Sequence, residues 1–327
     1  MTEYVLVFVV LMLVLFVYIK LANKLKIIDT PIRRSSHKQI TVRGGGVVFV
    51  AVCIWAAVSG QIAWSVFAGI FLASLIGFMD DIRPLTVISR LSFHFVAIVI
   101  VFWDINLFPA DILLVLLTFL LFGGWVNAFN FMDGINGITV LYSLSALVGF
   151  YFVPELFAER HWMRLLMISL LVFGIFNFRK KAIVFAGDIG SYSMAFILGI
   201  LMLELINQTQ DIHWLLFFAV YGIDAVATIF LRLRVKENIF RSHRSHLYQF
   251  LANELKIPHL QVSLYYFIAQ MILNMVVLLT SITGFMDSKW LWVLFGLYCG
   301  VYFLIRNWVI KIVNKESASS ALKSIKR

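Results

Sequence analysis

The sequence predicts an all-α polytopic integral membrane protein with about eleven transmembrane helices, nine to eleven in all. Composition is the first reason: 62% of the 327 residues are hydrophobic and 13% are charged, where a soluble domain has roughly 45–50% and about 25%. The second is length patterning, because apolar runs near or above the ~17-residue minimum for a span recur along the whole chain. The third is charge sorting: of 27 Lys and Arg, only Arg160, Arg164 and Lys289 fall outside one alternate set of loops. The two cysteines, Cys53 and Cys299, lie inside apolar runs, which gives no disulfide framework and no thiolate metal site.

In order, the runs fall at about 4–22, 44–59, 62–79, 90–103, 111–126, 138–153, 163–177, 193–207, 213–231, 261–283 and 289–310. The first follows a single acid, lacks a basic leader and precedes basic residues, so it reads as a retained helix rather than a cleaved signal. The 44–59 and 90–103 runs are the shortest claims; losing both leaves nine and keeps the parity. Lys and Arg bias orients the bundle. The inner loops are then 23–43, 80–90, 127–137, 178–192 and 232–260, with a short basic tail at 311–327. This puts the N-terminus in the periplasm and the C-terminus in the cytoplasm, and makes residues 1–327 a single transmembrane domain. The net charge of +10 follows from topology and anionic headgroups and needs no nucleic acid.

The unusual polar residues all fall on that inner face. In Gly77-Phe-Met-Asp-Asp81 two adjacent carboxylates end an apolar run, where they repel unless a proton or cation neutralises them; a plain helix cap would use the same residues. Arg43-Gly-Gly-Gly46 opens a span with a stretch that lets backbone or ligand approach closely. Lys38 and Arg43 beside it suit phosphate oxygens, or simply the positive-inside bias. Asn127, Asn130 and Asp133 recur at intervals of three, one face of a continuing helix, before Gly134 and Gly137 break it. Asp188 stands between Gly187 and Gly190, an open carboxylate suited to a hard cation such as Mg²⁺ or to capping a turn. His243 and His246, interleaved with Arg244, fit a phosphate-binding cluster better than a zinc site, since the arginines repel a metal. Asp224 is the acid set well inside a run, about 10 Å from its inner end. It needs a partner, either Arg232 or a donor on a neighbouring helix. His94 reads as a hydrogen-bonded packing residue.

Acids alone bind cations and bases alone bind anions; both together suit a metal-bridged phosphate or diphosphate. At a lipid boundary, one substrate is expected to be a lipid. No Walker loop and no G-x-G-x-x-G after a strand occurs.

Five stretches in order, Arg43-Gly-Gly-Gly46, Gly77-Phe-Met-Asp-Asp81, Asn127-x-x-Asn130-x-x-Asp133-Gly134, Phe185-Ala-Gly-Asp-Ile-Gly-Ser191 and His243-Arg-Ser-His246-Leu-Tyr-Gln249, resemble the polyprenyl-phosphate N-acetylhexosamine-1-phosphate transferases. The resemblance implies transfer of a HexNAc 1-phosphate from a UDP-sugar to undecaprenyl phosphate, with release of UMP and a requirement for Mg²⁺ (Mn²⁺ as the alternative). It implies Asp188 as metal ligand and Asp80, Asp81 and Asp133 as catalytic acids. Asn127, Asn130, Asn136, Lys38 and Arg43 would line the nucleotide-sugar side, and His243, Arg244 and His246 the diphosphate side, with Asp224 in support. The chain resembles the branch that initiates O-antigen or capsule chains on 6-deoxy sugars such as FucNAc or QuiNAc. It would act in the bacterial inner membrane with its active site on the cytoplasmic face, alone or as a homodimer.

Two departures stand out. The family often carries Asp-Gly-x-Asp-Gly in the third loop, and this chain has Asn136 at the second acid. The peptidoglycan branch carries three consecutive histidines where this chain has His-Arg-Ser-His, which argues against a UDP-MurNAc-pentapeptide donor. A transporter or flippase for an anionic polyprenyl lipid is the rival from another class, but its site belongs at the bilayer midplane rather than in loops. A CDP-alcohol phosphotransferase would need a denser run of aspartates around Asp133.

Overall fold

A computed structural model describes residues 2–31, 36, 39–238 and 244–325, with the side chains of 316–325 left aside. Among these residues the eleven expected apolar runs all become helices. They are α1 (Thr2–Leu25), α2 (Val47–Val58), α3 (Trp64–Ile82), α4 (Val87–Asp104), α5 (Ile112–Met132), α6 (Ile138–Phe152), α7 (Arg160–Asn177), α8 (Gly187–Thr209), α9 (Ala219–Arg234), α11 (His259–Thr283) and α12 (Lys289–Ile325). A three-residue helix, α10 (Leu247–Gln249), lies in the last long loop, and β1 (Ile28–Asp29) pairs antiparallel with β2 (Thr41–Val42). The protein is a polytopic helical membrane protein; among the described residues eight helical segments are long and apolar enough to cross a membrane. The expectation that 90–103 falls short is corrected: α4 fills out to 18 residues because Thr86 caps it, accepting from the Ser89 amide at 3.1 Å. The short members are α2, with 12 residues, which is the 44–59 run expected to be short, and α6, with 15. At 1.5 Å per residue they reach only ~18–22 Å, less than a ~30 Å hydrocarbon core.

Burial ranks the helices. In α8, 83% of the apolar span is buried, against 22% in α1 and 17% in α12, so α8 is the axis and α1 and α12 are peripheral. Along that axis α8 packs on α3 and α5. Ahead of α9 the chain runs as a 3-10 stretch, Ile212–Phe218, which leaves backbone groups to be satisfied from outside the helix. Gln270 of α11 does this. Its Oε1 accepts from the Val220 amide at 2.9 Å and its Nε2 donates to the Leu216 carbonyl at 2.9 Å. His94 is buried against the edge of Tyr192, ring centroids 4.5 Å apart. Neither ring nitrogen has a hydrogen-bond partner, so it packs without the bond expected for it.

Candidate functional site

The N-terminus of α8 organises the site. Residues 42–46 run alongside 184–186 as an extended ribbon. Phe185 N–H donates to the Val42 carbonyl at 2.8 Å, and the Gly45 and Gly46 amides donate to the Phe185 and Ala186 carbonyls at 2.8 and 2.9 Å. This ribbon delivers Arg43 to the start of α8. The end of α3 closes in from the other side. A Cβ on Gly77 would lie 2.6 Å from the Asp188 carbonyl carbon, so only glycine allows α3 so near. At Gly187 the backbone turns with φ +73°, a left-handed conformation that glycine adopts without strain.

Four sequence-distant residues meet there. Asp81 accepts from the Asp188 amide at 2.9 Å and the Ile189 amide at 3.1 Å. Its buried carboxylate therefore caps the positive end of the helix axis, where a negative charge is stabilised by up to ~2 kcal/mol. Arg43 Nε lies 2.9 Å from the same Asp81, and its Nη2 lies 3.2 Å from Asp188 Oδ1. Burial works against the Arg43 charge, but Asp81, Asp188, Asp29 and Asp80 outweigh it and raise the guanidinium pKa above its usual range. Asn130 Nδ2 donates to Asp188 Oδ1 at 3.1 Å and to Ser191 Oγ at 2.8 Å. Asp80 turns the other way from Asp81. It accepts from the Leu85 amide at 2.5 Å, lies 3.4 Å from Arg90 Nη1 and sits within hydrogen-bonding reach of the Asp188 carboxyl.

The adjacent acids thus have separate environments. Asp81 is enclosed, with both oxygens engaged; Asp80 and Asp188 present two carboxyls to one another. Among the described residues no group of three or more His, Cys, Asp and Glu is arranged to hold a metal by itself. The donor set nonetheless fits Mg²⁺, which typically takes one or two carboxylates and completes its octahedron with water and substrate phosphate. Two opposed carboxyls also repel in the absence of a cation or proton.

The other expected residues divide. α5 continues through Asn127 and Asn130 and ends at Asp133, yet the three do not share partners. Asn127 donates back to the Gly123 carbonyl at 2.8 Å. Asp133 accepts from the Thr139 hydroxyl, and burial pushes its carboxyl up to about 6. Asn136 differs from expectation: only 4% of it is exposed, and its amide donates to the Arg179 carbonyl at 2.8 Å. Its side chain thereby ties the turn after α5 to the loop after α7. His246 differs too. It is 1% exposed and heads α10 with Nδ1 3.4 Å from Asp224 Oδ1, so it is tied to that carboxylate. Arg244 is half-buried next to it. Lys38 and His243 lie outside the described residues.

Asp224 is fully buried, and its partners come from neighbouring helices rather than from Arg232. Tyr266 of α11 donates to it at 2.5 Å, Tyr302 of α12 at 3.0 Å and the Leu247 amide at 3.0 Å. Arg232 sits eight residues on, about 12 Å along α9, and binds Glu237 at 3.0 Å. Sequence reasoning also missed Asn177, which accepts from the Gly137 amide at 2.7 Å and donates to the Val184 carbonyl at 2.9 Å. It missed Tyr248, which donates to the Phe131 carbonyl at 2.8 Å. Tyr248 stood in the His246-Leu-Tyr-Gln249 stretch without a role of its own, and the only signal for Asn177 was a polar residue at the end of an apolar run.

Comparison with known proteins meets this geometry. Residues 63–206 match the family model described as Glycosyl transferase family 4, a stretch that holds Asp80, Asp81, Asn130, Asp133 and Asp188. A phospho-N-acetylmuramoyl-pentapeptide-transferase of Thermotoga neapolitana is 26% identical over 232 residues, covering 64% of this chain and 76% of the relative. The enzyme of the same name from Fervidobacterium nodosum is 26% identical over 226 residues, covering 64% and 72%. The chain is thus similar to the polyprenyl-phosphate hexosamine-1-phosphate transferases over the stretch that holds the acid pair. Arg43 and the 244–257 segment lie outside the matched stretch yet are joined to it by the contacts above.

Proposed function

We propose that the protein transfers a HexNAc 1-phosphate from a UDP-sugar to undecaprenyl phosphate, releasing UMP, as the first membrane step of O-antigen, capsule or related envelope glycan synthesis. The observation that carries this is the meeting of Arg43, Asp80, Asn130 and Asp188 at the start of α8, an acid pair with a guanidinium beside it. In the net reaction an oxygen of the acceptor phosphate bonds to the β-phosphorus. The bond from that phosphorus to the bridging oxygen breaks, and its electrons leave on UMP. Asp188 and Asp80 would hold a divalent cation, Mg²⁺ by preference, which when bound offsets charge on the diphosphate oxygens. Arg43 adds a fixed positive charge and orients Asp188, and Asp81 holds both in place through the helix terminus. Asp80, the more open of the adjacent acids, would orient or deprotonate the acceptor phosphate. Asn130 fixes Asp188 from the nucleotide side, with Asp133 one turn on.

The whole chain acts as one domain in the bacterial inner membrane, with these loops on the cytoplasmic face. The Lys and Arg distribution supports that orientation. The relatives' name gives an N-acetylmuramoyl-pentapeptide as their sugar. The sequence His243-Arg-Ser-His246 in place of consecutive histidines supports a smaller donor, a 6-deoxy HexNAc such as FucNAc or QuiNAc. The test is a panel of UDP-HexNAc donors on membranes containing the protein, with undecaprenyl phosphate and Mg²⁺, reading UMP release and the mass of the product lipid. No exchange between UMP and any donor in the panel would sink the proposal.

A further inference from the structure

The last helix looks peripheral by burial, yet it sends two polar side chains into the interior. Tyr302 is 8% exposed and donates to Asp224 at 3.0 Å; Arg306, one turn on and 4% exposed, donates to the Tyr302 hydroxyl at 3.1 Å and lies 3.4 Å from Thr228 Oγ1. The Arg306 guanidinium also sits over the Phe250 ring, 5.5 Å from its centroid. Phe250 begins a π-helical turn, Phe250–Glu254, that follows α10 directly. Such turns are rare and concentrate at functional sites. A buried charge in a membrane bundle is expensive unless compensated. Asp224 and Arg306 compensate each other through the Tyr302 hydroxyl rather than by direct contact.

Asp224 meanwhile takes the first amides of α10, Leu247 at 3.0 Å and Tyr248 at 3.5 Å. The orientation of α10 is therefore set by a carboxylate whose own position is set from α12. From α10 the connection continues: Tyr248 donates to the Phe131 carbonyl at 2.8 Å, beside Gly134. A covalently continuous loop and a chain of hydrogen bonds thus join α12 to the segment that bears Asn130 and Asp133.

We propose that Tyr302 and Arg306 are positioning residues: acting through Asp224 they hold the 244–257 loop, and with it Arg244, in register with the Asp80–Asp188 centre. This rests on the transferase reading above. The test uses the full chain in membranes. Tyr302→Phe, which removes only the hydroxyl, is expected to lower kcat by roughly tenfold, the scale of one buried hydrogen bond, with KM for the donor within about twofold. In an Arg244→Ala background the same change should add no further loss, since coupled residues are not additive. Arg306→Met should behave likewise, and both variants should be nicked faster by trypsin after Arg244. Losses that multiply in the double variant, or nicking unchanged in both single variants, overturn the inference. If no UDP-HexNAc supports turnover even in the wild type, the transferase reading fails; the nicking rate still decides whether α12 holds the loop.

Discussion

Two buried aspartates, Asp81 and Asp224, sit in different parts of the bundle and solve the same problem, yet their surroundings differ in kind. Each caps a helix start with two backbone amides, Asp188 and Ile189 for Asp81, Leu247 and Tyr248 for Asp224. Around Asp224 every further neighbour is a donor: two tyrosines, a threonine and a histidine. Around Asp81 lie two more carboxyls, Asp80 and Asp188, with Arg43 between. A saturated carboxylate is scaffold, and a carboxylate beside unsaturated acids marks where a cation and a phosphate can enter. Residue type does not separate the two regions; the balance of donors to acceptors does.

The sharpest break in that comparison comes from removing charge at the acid pair. Asp188→Asn and Asp80→Asn are each expected to lower kcat by at least ~10²-fold while the protein keeps its melting temperature, because metal ligands and general bases contribute on that scale. Chelation with EDTA should abolish UMP release, and added Mg²⁺ should restore it. Wild-type turnover in either variant would remove that residue from the chemistry. At the scaffold the pattern reverses: Asp224→Ala strands buried donors and should destabilise by about 3–5 kcal/mol, read as a fall in melting temperature. An Asp224→Ala protein that melts like wild type would mean the network is ornamental.

Much of this was legible in the sequence. The eleven runs emerge as helices because a span's hydrophobicity is local, and the convergence on α8 was foreshadowed by glycines at 44–46, 77 and 187. What was not legible was partnership. For Asp224 the sequence left Arg232 and a donor on a neighbouring helix both open; eight residues of helix separate Arg232 from it, and tyrosines 42 and 78 positions away reach it. The buried carboxylate of Asp224, 3.4 Å from His246 Nδ1, was not a partner the sequence offered for that ring. Arg306 was counted as topology charge, since a single basic residue near the inner end of a span looks like any other.

Asp133 offers an intermediate case, neither saturated nor beside another acid. Burial raises its carboxyl to about 6, so the proton is held below that pH and the negative charge is present above it. If the ionised form is the working one, the rate rises as pH passes upward through about 6. In Asp133→Asn that inflection should vanish. An unchanged inflection in the variant would assign the titration to another group.

The smallest effect tests the latch. Asn136 lies in the turn between α5 and α6; its side-chain amide holds the Arg179 and Lys180 carbonyls while its backbone carbonyl accepts from Ser263 at 2.9 Å. Those bonds join two loops to the first turns of α11. Asn136→Ala should therefore cost about 1 kcal/mol, the scale of a hydrogen bond lost at part-buried carbonyls, and leave the donor KM within about twofold. The backbone bond to Ser263 survives the change, which keeps the effect below that at Asp224. Asn136→Asp is the discriminating companion. A carboxylate cannot donate to the two carbonyls and would repel them, so a latch is destabilised further by aspartate than by alanine. A nucleotide contact would show the opposite signature, a KM shift with the melting temperature intact, and would return Asn136 to the substrate surface.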